Sequence, residues 1–221
     1  LEKAEEMVRT ELITQLRQQG KIAQGINLTI SGAADQLEAT KASLSVNFII
    51  SIILSYLTLV AIFTHWRYPL FILTTIPLGM AGGLIGLISV NGINAALTSV
   101  GLSGIHQPLD MITMLGFLIL LGTVVNNPIL IVDQTRKNMQ QQGISVVNAV
   151  KSAVEKRLMP ILMSTSTTVF GLAPLVLISG DGTELYRGVG IIVLSGLIFS
   201  TLLTLTFLPA LLVSVLKPKT T

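Results

Sequence analysis

Residues 111–132 read MITMLGFLILLGTVVNNPILIV, an uncharged run with two adjacent asparagines and a proline near its centre. About 20 apolar residues suffice for an α-helix to cross the ~30 Å hydrocarbon layer of a bilayer, so this run reads as a membrane span. Four more stretches share its length and character. They are SLSVNFIISIILSYLTLVAIF (43–63), PLFILTTIPLGMAGGLIGLISV (69–90), LMPILMSTSTTVFGLAPLVLI (158–178) and VGIIVLSGLIFSTLLTLTFLPALLVSVL (189–216). The fold class this implies is an all-α polytopic membrane protein with five transmembrane helices, its membrane domain covering 43–216. Residues 217–221 form a short tail.

Residues 1–42 are different. Met7, Val8, Leu12, Ile13 and Leu16 recur at helical spacing and Gly20 supplies a stop, which predicts an amphipathic helix over 1–20. In GINLTISG (25–32), Ile26, Leu28 and Ile30 alternate with polar residues, which predicts a short strand. A further helix is expected to start near Ala33 and run into the first span. The segment reads as a small α+β remnant of an aqueous subdomain, too short to fold alone.

Composition agrees with a membrane assignment. Of 221 residues, 51% are hydrophobic and only 11% charged, against roughly a quarter charged in soluble domains. Lipid must therefore cover much of the surface, and the bilayer is the first expected partner. The absence of cysteine excludes disulfides and thiolate-bound metals. The net charge of +3 is small, and the basic residues do not form a groove interleaved with aromatics, so no nucleic-acid partner is expected. A start at Leu1 on a charged helix suggests a fragment or an excised domain.

Lys and Arg set the orientation. Arg67 lies after the first span, Arg136, Lys137, Lys151, Lys156 and Arg157 after the third, and Lys217 and Lys219 after the fifth. The loops after the second and fourth spans hold only Arg187. The bias of eight to one places the C-terminus in the cytoplasm and the N-terminal segment outside it. The stretch SVVNAVKSAVEKR (145–157) is amphipathic. It reads either as a helix lying on the cytoplasmic membrane face or as a plain surface helix capped by Ser145.

No Asp, Glu, Lys or His lies within the spans. An intramembrane charge costs ~3 kcal/mol or more and marks function, so this piece has no complete charged relay of its own. Its candidates are neutral. Asn126 and Asn127 need partners in hydrocarbon, and Pro128 frees a carbonyl one turn back. They read as interhelical glue or as part of a proton or water path. In the fourth span, Arg157, Ser164 and Thr168 fall on one face at intervals of two turns and one turn. That face reads as a water wire, or as hydroxyls bonding back to their own helix. Gly79, Gly82, Gly83 and Gly86 form small-xxx-small pairs for close helix packing, and Gly122, one turn before Asn126, is expected to admit a neighbouring helix. No protease, hydrolase or phosphate-loop motif appears. His65 and His106 read as loop residues, the methionines form no metal-like cluster, and no cofactor is expected.

Several stretches together resemble a known family. LGTVVNNPILIVDQTR (121–136), RLMPILMSTSTTVFGLAPL (157–175), GDGTELYRGVG (180–190) and STLLTLTFLPALL (200–212) resemble the last three membrane helices of resistance-nodulation-division (RND) efflux permeases. PLFILTTIPLGMAGGLIGL (69–87) and SGAADQLEATKASLSVNF (31–48) resemble the two helices before them. The resemblance implies spans eight to twelve of a twelve-span bacterial inner-membrane protein, preceded by the end of a periplasmic porter region. It implies a proton-driven homotrimer that works with its missing N-terminal half, a periplasmic adaptor and an outer-membrane channel, and that exports amphiphilic small molecules. It also implies relay roles for Arg157 and Ser164. The family commonly has a lysine, paired with aspartates of the missing half, where this sequence has Asn126, followed by the family's asparagine at Asn127. The segment LSGIHQPLD (102–110) exceeds the short turn of well-known drug pumps and suggests a different branch. Two other readings stand beside efflux: a membrane assembly module without transport, and a lipid or protein exporter of the same superfamily. The piece alone is expected to transport nothing.

Overall fold

The computed structural model describes residues 33–101, 106–140, 144–178, 180 and 182–216. They form seven helices: α1 (Ala33–Phe63), α2 (Arg67–Leu73), α3 (Thr75–Ser99), α4 (Met111–Val124), α5 (Asn126–Met139), α6 (Val146–Leu177) and α7 (Thr183–Leu216). No strand occurs among the described residues. The helix expected over 1–20 and the strand over 25–32 lie outside them, so the α+β remnant is not shown. The chain divides into two units, Leu1–Phe48 and Ile49–Thr221. The described part of the first, 33–48, is wholly helical, and α1 begins at the expected Ala33.

Five stretches are long and apolar enough to span a membrane: Ser43–Phe63, Arg67–Ser99, Met111–Met139, Val146–Leu177 and Thr183–Leu216. Two of them are interrupted, each three residues before a proline, whereas Pro160, Pro174 and Pro209 lie inside unbroken helices. Pro77 has no N–H to give the Leu73 carbonyl, and the helix breaks at Thr74 between α2 and α3. Pro128 has none for the Val124 carbonyl, and the helix breaks at Val125 between α4 and α5. At the first break the hydroxyls of Thr74 and Thr75 donate to the carbonyls of Phe71 and Ile72, at 2.7 and 2.6 Å. Such local bonding is how a membrane helix tolerates proline.

Three boundaries differ from the hydropathy reading. The second span does not stop at Val90 but continues to Ser99. Its polar end stays helical because Thr98 and Ser99 donate to the carbonyls of Asn94 and Ala96. Asn91 also brackets the backbone of Gln107, donating to its carbonyl and accepting from its N–H at 2.9 Å each. The amphipathic stretch over 145–157 is not a separate surface helix but the first turns of α6, continuous with the fourth span. Ser145 does cap it, accepting from the Asn148 N–H. Arg187 sits within α7, buried, rather than in a loop.

The bundle of the second unit is organised around α7, which packs against α3, α4 and α6. Leu87, Leu120, Val124, Ile191 and Ile192 form its core. In lipid, helices gain little from burying apolar surface against each other, so close van der Waals contact must hold them. The α3 glycines allow that contact. A Cβ on Gly82 would fall on Phe199, one on Gly86 on Ser195, one on Gly79 within 2.8 Å of Val124, and one on Gly83 within 3.0 Å of Ile192. Ser195 Oγ, which gives its proton to the Ile191 carbonyl at 2.6 Å, lies 3.4 Å from the Gly83 carbonyl. Gly122 differs from the expectation. A Cβ there would meet nothing within 4 Å, so it admits no neighbouring helix among the described residues.

A candidate polar site at the α5, α6 and α7 contact

The break at Val125 places two asparagines at the start of α5, on different faces. Asn127 is 3% exposed, whereas Asn126 is exposed. Consecutive helical residues project about 100° apart, and here that turn buries one amide and leaves the other at the surface.

Asn127 meets Thr165 of α6 and Thr201 of α7, both buried. The direction of every bond in this trio follows from counting protons. Thr201 Oγ1 donates to the Leu197 carbonyl at 2.7 Å. Its one proton is spent, so toward its other neighbours it only accepts. Thr165 must then be the donor in the 3.0 Å contact between the two hydroxyls, and it too can only accept from Asn127. The Asn127 Nδ2 supplies both threonines, at 3.3 Å to Thr165 and 3.2 Å to Thr201. The network thereby fixes the amide orientation. The carbonyl Oδ1 is left as an acceptor.

Asn127 also lines a cavity of about 360 Å³, together with Gly122, Thr123, Asn126, Ser164, Thr165 and Thr168. The same proton count defines its chemistry. Ser164 donates to the Ile161 carbonyl at 3.1 Å and Thr168 to the Ser164 carbonyl at 3.0 Å. Thr123 donates to the carbonyls of Ile119 and Leu120. Ser164, Thr168 and Thr123 have given their protons to their own helices and Thr165 its proton to Thr201, so all four show the cavity lone pairs. The wall is therefore neutral and rich in acceptors. Asn126 is its freely orientable amide, with no hydrogen bond among the described residues.

Of the residues singled out in the sequence, Asn126, Asn127, Ser164, Thr168 and Gly122 converge here. Arg157 does not line the cavity. Its Nη2 donates to Gln134 Oε1 at 3.0 Å, Gln134 Nε2 donates to Asn138 Oδ1 at 3.0 Å, and Asn138 Nδ2 donates to the Ala149 carbonyl at 2.9 Å. This chain fastens the first turns of α6 to α5. The shared face of Arg157, Ser164 and Thr168 is thus divided, with Ser164 and Thr168 in the cavity and Arg157 in a strut.

Thr165 and Thr201 were missed as site residues. Thr165 carried a signal, because it continues the buried stripe of Ala149, Ala153 and Ile161 at four-residue spacing. Thr201 is one of seven Ser and Thr residues in α7, and nothing in the sequence sets it apart from the others. His65 accepts from the Arg67 N–H at 3.3 Å and meets Tyr68 edge to face, and His106 lines a separate pocket with Asp110, Glu184 and Arg187. Among the described residues, no group of three or more His, Cys, Asp or Glu is placed to hold a metal.

Residues 6–216 match the model of the AcrB/AcrD/AcrF family. Among curated proteins, the chain is 30% identical over 200 residues to the multidrug resistance protein MdtC of Salmonella paratyphi A, covering 90% of this chain and 18% of that protein. The MdtC of Salmonella enteritidis PT4 matches with the same identity and coverage. Among solved structures, it is similar to a crystal structure of a heavy metal efflux pump, with TM-score 0.64 and 27% identity, over 90% of this chain and 19% of that one. The chain spans about a fifth of the length of these relatives.

Proposed function

Since the chain belongs to the AcrB/AcrD/AcrF family, a group of RND permeases, we propose that it supplies five membrane spans of a transporter that exports amphiphilic small molecules in exchange for protons. The observation that carries this reading is the acceptor-lined cavity beside Asn127. Hydrocarbon cannot satisfy polar groups, so the exposed amide of Asn126 at the middle of its span must face water or another polar segment. The remainder of the polypeptide would supply the carboxylates that carry the proton, with Asn126 orienting a carboxylate or a water and Ser164 offering a second oxygen. An assembly module would use Asn126 as glue, yet Asn126 bonds to no other helix among the described residues.

In this reading Asn126 does the work of a hydrogen-bonding partner where the family commonly keeps a cation. Partners follow the family: a trimer in the bacterial inner membrane, with a periplasmic adaptor and an outer-membrane channel. The test is reconstitution of these spans, with the remaining transporter, into proteoliposomes loaded with an amphiphilic dye. An imposed pH gradient should drive dye movement, and a protonophore should abolish it. Movement indifferent to the protonophore would refute proton coupling.

Orientation belongs to the same proposal. Eight basic residues against one put the tail at Thr221 in the cytoplasm and the segment after Ser99 outside it. Reporter fusions at Thr221 and after Ser99 should give opposite signals. Identical signals would rule out the five-span topology.

A further inference from the structure

A second cavity, of about 720 Å³, lies between the first turns of α6 and the last turns of α7. Val147 and Val154 line one wall, and Leu205 and Pro209 the other. On α6, Lys151 and Glu155 complete the lining, and both are exposed. With 32 residues, α6 is about 48 Å long, well beyond the ~30 Å hydrocarbon layer. Its first turns therefore reach the headgroup layer, where a groove with apolar walls and charged side chains meets both parts of a lipid.

Lys151 and Glu155 stand four residues apart on a helix, the spacing of an ion pair, yet among the described residues they form none. Asp133 and Lys137 have the same spacing on α5 and pair at 2.7 Å. The difference is order. An acidic residue one turn before a basic one is the favourable arrangement on a helix, and the reverse is poorer. Lys151 precedes Glu155, so a cation and an anion remain separately available beside the groove. A second feature seeks a donor. Pro209 has no N–H for the Leu205 carbonyl, which is left without its usual helical partner, and both residues line the groove.

We propose that this groove binds an ethanolamine phospholipid. Its phosphate pairs with Lys151. Its primary ammonium, two carbons away, donates to Glu155 and the Leu205 carbonyl, and an acyl chain lies along the valines, Leu205 and Pro209. A purely anionic headgroup would leave Glu155 opposed by a like charge. A choline headgroup has a cation but no N–H to donate.

The test is lipid retention by the purified protein. Nanodiscs are made with equal parts of ethanolamine, choline and glycerol phospholipids of identical acyl chains, and tightly held lipid is measured by native mass spectrometry. Ethanolamine lipid should be enriched about threefold to fivefold over both others, the scale of a partly exposed charge contact. Stepwise N-methylation of the headgroup should lower the enrichment as N–H donors are lost. The exchange Lys151→Glu with Glu155→Lys keeps the net charge but places the acid first, as in Asp133 and Lys137. The new pair should close, and the enrichment should vanish with the melting temperature unchanged. Equal retention of ethanolamine and choline lipids by the parent protein overturns the proposal without any variant. So does preference for the glycerol lipid, which would mean that Lys151 acts alone.

Discussion

Asn126→Ala and Asn126→Leu are expected to lower export by about tenfold or more at matched expression, while the melting temperature moves by less than about 2 °C. Asn126 is exposed at the cavity wall and bonds to nothing among the described residues. Removing it therefore leaves no group of the bundle unpaired, and a surface-like change of ~0.5 kcal/mol is the expected cost. In the proposed transport step its amide orients a carboxylate or a water. The loss of one hydrogen bond to a charged group, about 1.5 kcal/mol or more, corresponds to about a tenfold change. Asn127→Ala should reverse the pattern. It withdraws both donors from Thr165 and Thr201 and is expected to cost about 1–3 kcal/mol of stability, lowering the melting temperature by several degrees. Dye export and thermal melts of the three variants in one preparation separate the two roles. Export at the parental rate by both Asn126 variants would mean that this amide has no part in coupling.

Gly82→Ala should be among the most damaging single methyl groups in the bundle, and Gly122→Ala among the most harmless. The added Cβ of Gly82 would fall on Phe199 at its own Cβ. That atom is fixed to the α7 backbone, so no rotamer change can relieve the clash, and α3 and α7 must separate. Overpacking of this kind costs about 1–3 kcal/mol, and a valine at the same position should cost more. At Gly122 the same methyl meets open space, and replacing a helical glycine with alanine is worth up to about 1 kcal/mol in the helix's favour. Thermal unfolding in detergent should therefore show Gly82→Ala well below the parent and Gly122→Ala at or above it. Coincident melting of parent and Gly82→Ala would show that α3 and α7 do not approach so closely.

The two glycine cases also show what the sequence made legible. Spacing marked Gly79, Gly82, Gly83 and Gly86 as a stripe. Gly122 shared their residue type but lay four residues before Asn126, on the cavity face rather than against a helix. Hydropathy located all five spans, because an apolar run of sufficient length has one stable place near a bilayer. It misplaced their ends, because Asn91, Thr98 and Ser99 look like loop residues until their side-chain bonds are known. It also detached the start of α6, whose polar face hides its continuity with the span. Adjacent Asn126 and Asn127 had to point in different directions, but only tertiary packing decides which of them is buried. Arg157 was placed in the relay by family resemblance and helical spacing. Neither reveals that Gln134 is within reach on the next helix.

The central place of α7 has a consequence for synthesis. Ser195 and its neighbour Gly83 are 112 residues apart in the chain. At about 5–20 residues per second, a ribosome needs roughly 6–22 s to travel from one to the other. For that interval the glycine-lined side of α3 is already in the bilayer without the helix it is shaped for. Lipid tails must fill it and then leave when α7 arrives, so this close contact is also among the last to form. A pause in translation anywhere between the two would lengthen the time for which this surface is open to the wrong helix.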